Sequence, residues 1–224
     1  MIDPRELDYM MSLVSENKRA LFKKNVAKRT AKIAVVLEDI YQSHNAAAVL
    51  RTCDCFGIQN VYIIENRNEW NPHPDIEQGS TKWLTLQRFN ESEENTSPCL
   101  RHLREKGYAI VGTTPHTDMS IDELPTDRPV ALVMGTEKDG ISDTVKKESD
   151  YLVKIPMYGF TESFNISVAA AISLHSVRQN FEKSGVDMAF PRREKEAILL
   201  EWCKKTVKRS EEILLEYRRR LRQD

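Results

Sequence analysis

The sequence predicts an α/β fold: a mostly parallel sheet with helices on both faces, and a helical extension at each end. Three observations carry this. The runs Ile33–Leu37, Val61–Ile64, Tyr108–Gly112 and Val130–Met134 are short and continuously apolar, the pattern of strands buried on both faces. Helical stretches alternate with them, as crossover connections between parallel strands require. Both ends of the chain are long, charged and helical in pattern.

The elements follow in order. Residues 3–30 read as one or two helices, with Leu7, Met10, Met11, Leu13 and Val14 on an apolar face. Ile33–Leu37 is the first strand. A helix over residues 45–56 stops at Gly57, where a left-handed cap is wanted. Val61–Ile64 is the next strand. Residues 66–82 are polar, aromatic and proline-containing, which predicts a long loop. A helix over 99–106 ends at Gly107. Strands follow at Tyr108–Gly112, Val130–Met134 and Tyr151–Ile155. Residues 165–183 form a helix with Gly185 beyond it, and Pro191 opens a final helix reaching about residue 222. The expected domains are a helical extension over 1–32, an α/β domain over 33–184 and a basic helical extension over 185–224.

Composition narrows the function classes. Of 224 residues, 40% are hydrophobic and 30% charged, a globular rather than disordered balance. No apolar run approaches the roughly 18 residues of a membrane span. The first residues lack a basic stretch followed by an apolar one, so a cytoplasmic location without membrane is expected. Cys53, Cys55, Cys99 and Cys203 show neither CxxC nor metal-ligand spacing, so free thiols and no metal are expected. The net charge of −1 gives no general affinity for nucleic acid. Its distribution does: seven basic and no acidic residues lie between Lys18 and Lys32, among them Lys23, Lys24, Lys28 and Arg29. In the C-terminal extension, glutamates balance the basic residues, and solvated helix faces explain them at least as well.

The eight glycines never form GxG, so the dinucleotide fingerprint is missing, as are the P-loop, HExxH and GxSxG. Three segments remain, each at the C-terminal end of an expected strand, where α/β proteins hold ligands. Asn45-Ala-Ala-Ala-Val-Leu-Arg51 opens a helix. Asn45 and Arg51 are six residues apart and point from different faces. Gly135-Thr-Glu137 follows a strand, and a glycine there lets a ligand approach the backbone. Ile155-Pro-Met-Tyr-Gly-Phe-Thr-Glu-Ser163-Phe-Asn165-Ile-Ser167-Val-Ala-Ala-Ala171 runs from a strand end into a helix start. Its short polar side chains suit free backbone N–H groups there.

Together, and in this order, these segments resemble the three motifs of the SpoU branch of the SPOUT RNA 2′-O-methyltransferases, over about residues 33–180. Ala47 stands where many members have glycine, a conservative change on a helix. The resemblance implies methyl transfer from S-adenosylmethionine to an RNA ribose 2′-hydroxyl, a C-terminal deep trefoil knot and a homodimer. It implies catalytic roles for Asn45, Arg51, Glu137, Ser163 and Asn165, with Ser167 beside them. It implies cofactor contacts at Thr113, Gly135, Ile155 and Phe164. Arg51 would also touch substrate, as would Lys23, Lys24, Lys28 and Arg29. The helical ends resemble those of TrmH-type members, which implies tRNA as partner, not DNA, and the D-loop guanosine as target. Ribosomal RNA as substrate, or an inactive RNA-binding knot protein, are the alternatives.

Overall fold

The computed structural model describes residues 3–70 and 79–221. Among these, six strands form one sheet: β1 (Ile33–Glu38), β2 (Asn60–Ile64), β3 (Thr85–Phe89), β4 (Ala109–Thr113), β5 (Val130–Met134) and β6 (Tyr151–Val153). Their order is β3-β2-β1-β5-β4-β6 and every pairing is parallel. The helices are α1 (Pro4–Ser12), α2 (Glu16–Val26), α3 (Ser43–Cys55), α4 (Thr96–Glu105), α5 (Asp143–Glu148), α6 (Ile166–Ser184), α7 (Arg192–Lys204) and α8 (Ser210–Arg220). The chain divides into two compact units. One spans residues 30–188; the other joins the chain's two ends, up to residue 29 and from 189 onward.

In the sheet unit β1 is buried along its whole length, and its residues alternate between two cores. Ile33, Val35 and Leu37 pack with Val49 and Leu50 of α3 and with Leu174 and Phe181 of α6. Ala34 and Val36 pack with Leu100 and Leu103 of α4 and Val145 of α5. The helices therefore cover both faces, which is why the strand sequence is apolar without alternation. Each fully buried Leu or Phe in these layers contributes roughly 1.5–3 kcal/mol. α3, α4 and α6 stop before Gly57, Gly107 and Gly185, all at positive φ. At Gly185 (φ 73°) the left-handed turn returns a backbone N–H to the Glu182 carbonyl.

Four expectations need correction. β3 is a strand that the periodicity hides: Thr85–Phe89 lies at the sheet edge, mixes Leu86 and Phe89 with three polar residues, and is only half-buried where it is buried at all. The strand expected over Tyr151–Ile155 ends at Val153, and beyond it only Lys154 forms an isolated bridge, to Ser120. The final helix is broken between Lys204 and Ser210, where Arg209 takes a left-handed φ of 57°. Of the expected loop, Ser80–Trp83 forms a 3-10 turn, while residues 71–78 lie outside the described residues.

The second unit shows what the ends do. Read from sequence as separate extensions over 1–32 and 185–224, they fold against each other. Met10 and Met11 of α1, Phe22 of α2, and Trp202 and Cys203 of α7 are buried. Leu13, expected on the apolar face, is 45% exposed because α1 has already ended at Ser12. Phe22 meets Trp202 edge-on with centroids 5.5 Å apart, and Tyr9 stacks on Tyr217 at 4.1 Å. Glu6 accepts two hydrogen bonds from Arg218, at 2.6 and 2.7 Å. Burial raises the Cys203 thiol to about 11, so it packs as a small apolar group.

Candidate active site

All the strands are parallel, so their C-terminal ends share one edge of the sheet. The loops following β4, β5 and β6 meet there because β4 lies between the other two. They enclose a cavity of about 290 Å³. Thr113, Gly135, Ile155 and Phe164 all line it, as do Glu137 and Ser163. The wall includes apolar side chains of Ile121, Met134 and Ile166.

Each loop is fixed by identifiable bonds. After β5, Thr136 and Gly140 exchange backbone hydrogen bonds at 3.0 Å, folding Gly135–Ile141 into a tight turn. A Cβ on Gly135 would fall 2.0 Å from the Gly140 carbonyl oxygen, so only glycine fits there. Thr113 donates its hydroxyl to the Val133 carbonyl at 2.9 Å, which ties the end of β4 to β5. After β6, Asn165 caps α6 and accepts from the Ser167 N–H at 2.9 Å and the Ser167 hydroxyl at 2.6 Å.

The polar residues of the three segments converge. Asn45, 4% exposed at the start of α3, donates from Nδ2 to Glu137 Oε1 and to Gln42 Oε1. Its Oδ1 accepts from Asn165 Nδ2 at 3.3 Å. One buried amide thus joins a carboxylate from the second segment to an amide from the third. Arg51 is not brought to this set: it lies on the exposed face of α3, roughly 120° around the helix from Asn45, and does not line the cavity.

Lys23, Lys24 and Lys28 are exposed in the helical unit. Arg29 is the exception and a correction. It is 5% exposed, and its guanidinium lies 5.3 Å from the Trp202 ring, where the ring face attracts it. Among the described residues no cluster of three or more His, Cys, Asp or Glu is arranged to hold a metal ion. No helix among them is long and apolar enough to cross a membrane.

Sequence reasoning missed Glu38. This carboxylate at the end of β1 is 2% exposed and accepts from the Ser142 N–H (2.8 Å), the Ser142 hydroxyl (2.7 Å) and the Thr96 hydroxyl (2.8 Å). It anchors the far end of the glycine turn, because Ser142 also caps α5. The available signal was an acid placed directly after a buried apolar run. A buried carboxylate there needs donors, and the distant Thr96 and Ser142 supply them.

Comparison with known proteins agrees with this arrangement. The model of the SpoU rRNA Methylase family matches residues 32–175, well over half of the chain. The chain is 34% identical over 205 residues to a tRNA (guanosine(18)-2′-O)-methyltransferase of Borreliella burgdorferi, covering 91% of this chain and 92% of the relative. A protein of the same name from Thermus thermophilus is 29% identical over 195 residues, covering 85% and 98%. The crystal structure of an A. aeolicus TrmH/SpoU tRNA modifying enzyme matches with a TM-score of 0.76 at 27% identity, covering 86% of this chain and 98% of that one. A parallel sheet, two motif loops lining one cavity with the first motif's Asn45 bonded to both, and a family match that spans all three motifs lead to one conclusion: the chain belongs to the SpoU methylase family.

Proposed function

We propose that this chain transfers a methyl group from S-adenosylmethionine to the ribose 2′-hydroxyl of guanosine 18 in the D-loop of tRNA. The observation that carries the reading is the Glu137–Asn45–Asn165 set at the cavity. It joins residues 92 and 120 positions apart from three separate motifs. The relatives that are 29–34% identical bear the name of this activity.

The cavity suits the cofactor. Its volume of about 290 Å³ is at the lower end of small-molecule sites, roughly 300–1,000 Å³. Its lining combines loop backbone and apolar side chains such as Met134 and Ile166 with polar ones such as Glu137 and Ser163. Thr113, Gly135 and Ile155 would hold the cofactor at the three strand ends, with Phe164 beside it. When bound, it supplies an electrophilic methyl group on a sulfonium sulfur. Glu137, Asn165 and Ser163 orient the target ribose through hydrogen bonds, and Asn45 holds Glu137 and Asn165 in place. Arg51 carries five N–H donors and no acceptor, so it holds an RNA phosphate and stabilises charge growing on the 2′-oxygen.

We infer a homodimer in the cytoplasm. Tyr41, Tyr158, Phe160 and Val168 are exposed large side chains on the sheet unit, which a second copy would cover. That copy would also bring an Arg51 to the cavity. The segment from β6 to α6 is inferred to thread as the deep trefoil knot, in keeping with the likeness to the A. aeolicus enzyme. Lys23, Lys24 and Lys28 would add phosphate contacts from the helical unit.

Radiolabelled methyl transfer to unmodified tRNA and to ribosomal RNA, with nucleoside mapping, tests the reading. The expected product is 2′-O-methylguanosine in the D-loop. A tRNA with 2′-deoxyguanosine at that position should accept no label. Label confined to ribosomal RNA would overturn the substrate, and label on a base atom would overturn the ribose chemistry. Arg51→Ala is expected to slow transfer at least about 100-fold with cofactor affinity near wild type, read by calorimetry.

A further inference from the structure

We propose that Arg67 is a substrate-binding residue: its guanidinium takes a phosphate of the RNA strand at the mouth of the cavity, in exchange for Asp139. The inference rests on the reading of this chain as an RNA methyltransferase.

Arg67 follows β2 at the same edge of the sheet as the cavity loops. Its backbone is held from beneath by Asp39, a buried residue just beyond β1 with a left-handed φ of 52°. The Asp39 carboxylate accepts from the N–H of Asn66 at 2.7 Å and of Arg67 at 2.9 Å. The neighbours are tied as well. Asn66 donates to the Thr96 hydroxyl at 3.0 Å and accepts from the Asn95 N–H at 2.7 Å. Asn68 donates its side-chain N–H to the Asp39 carbonyl at 2.9 Å. A buried polar cradle therefore fixes three successive residues. Yet the side chain of the middle one is 73% exposed. The cradle fixes where a cation is presented, not how it packs.

What that cation faces is informative. Arg67 Nη1 lies 3.8 Å from Asp139 Oδ2, and Asp139 lines the cavity. Both side chains are more than half exposed, and an exposed pair at that distance contributes little and is easily exchanged. A phosphate offers a guanidinium a shorter, two-pronged contact with more charge. Asp139 thus keeps Arg67 turned toward the cavity until a stronger anion arrives. The fixed backbone lowers the ordering cost when it does.

Binding of an unmodified tRNA transcript to the full chain, measured across a salt series, tests this, with cofactor affinity measured separately. Arg67→Ala should raise the tRNA Kd about fivefold and reduce the slope of log affinity against log salt by about 0.7–0.9. Cofactor affinity should not change. Asp139→Asn should have the opposite sign, lowering the tRNA Kd about twofold, and this gain should vanish in the Arg67→Ala background. If both substitutions weaken binding alike, the pair is a loop latch and the exchange is wrong. A gain from Asp139→Asn that persists without Arg67 would likewise overturn it, as a general charge effect. Wild-type protein that binds no tRNA would overturn the functional reading and this inference together. Wild-type binding unchanged by Arg67→Ala would overturn this inference alone.

Discussion

The two units of this methylase are held together in different ways. In the sheet unit, contacts span a wide range of separations: β1 pairs with β2, next in sequence, and with β5, where Ile33 meets Val130, and its two faces are covered by α3 with α6 and by α4 with α5. In the helical unit, the decisive contacts join residues about two hundred positions apart: Glu6 with Arg218, Tyr9 with Tyr217, Phe22 with Trp202. Polar burial differs too. The sheet unit buries Glu38, Asp39 and Asn45 beneath its loops, each satisfied by donors from those loops. The helical unit spends its one buried carboxylate among the described residues, Glu6, on fastening one chain end to the other. Buried charge shapes a site in one unit and closes the chain in the other.

Substitutions can separate the two. Gly135→Ala should have the largest effect, and only on the sheet unit's chemistry. The new Cβ must displace the Gly140 carbonyl, so methyl transfer and cofactor affinity should each fall more than about tenfold. Circular dichroism of the helices should stay near wild type; a variant with normal cofactor affinity would remove the glycine turn from the site. Trp202→Ala should do the reverse. Loss of a buried Trp costs about 3–5 kcal/mol, and it also uncovers Phe22 and Arg29. The helical unit should then melt early while calorimetry still detects cofactor binding. A single shared transition would show that the units are not energetically separate.

Acid should distinguish them more finely. Burial pushes the His102 imidazole below its usual 6.5, and its Nε2 has no partner beside Tyr62 and Phe89. A depressed His pKa means that the unfolded chain takes the proton first. Its contribution is complete above pH 6.5 and lost as pH falls below it. Hydrogen bonds from Arg218 hold the Glu6 carboxyl below 4.5, so its contribution is complete above pH 4.5 and lost below. Between pH 6.5 and 4.5 the sheet unit alone should weaken, by amounts smaller than those of the substitutions above. Below 4.5 both should, since Ser97 and Arg104 hold Glu148 low in the sheet unit as well. The smallest effect is expected from His102→Phe, which should flatten the upper part of this profile in hydrogen exchange at α4 and leave the lower part intact.

The same contrast explains what the sequence revealed. β1, β2, β4 and β5 are legible because burial on both faces demands unbroken apolar runs, and helix ends are legible where glycine takes a positive φ. Asn45, Glu137 and Asn165, which bond to one another beside the cavity, are legible as motifs, because positions just after strand ends and at helix starts admit few residue types. β3 is not, since an edge strand need not be apolar. Nor is the meeting of the chain's ends. An amphipathic face on α1 announces that something covers it, and nothing local says that α7 and α8 do. Arg29 misleads for the same reason: in a basic run it reads as surface, yet it is buried with its guanidinium over the ring of the distant Trp202. Glu38 is the intermediate case, visible as an odd acid after a strand, but with donors 58 and 104 residues away.

The joining of the ends also sets a timetable for synthesis. α1 and α2 leave the ribosome first, yet the groups that cover Met10 and Phe22 lie after residue 191. At roughly 5–20 residues per second, those two helices wait some 10–40 s for their partners. During that interval the sheet unit, which lies between them in sequence and needs nothing from beyond residue 188, is made and can fold. A ribosome that stalls before α7 would release an intact sheet carrying two uncovered helices, a species suited to capture by chaperones or to aggregation. Silent changes that slow translation near residue 190 should therefore lower the yield of native protein without altering a single residue.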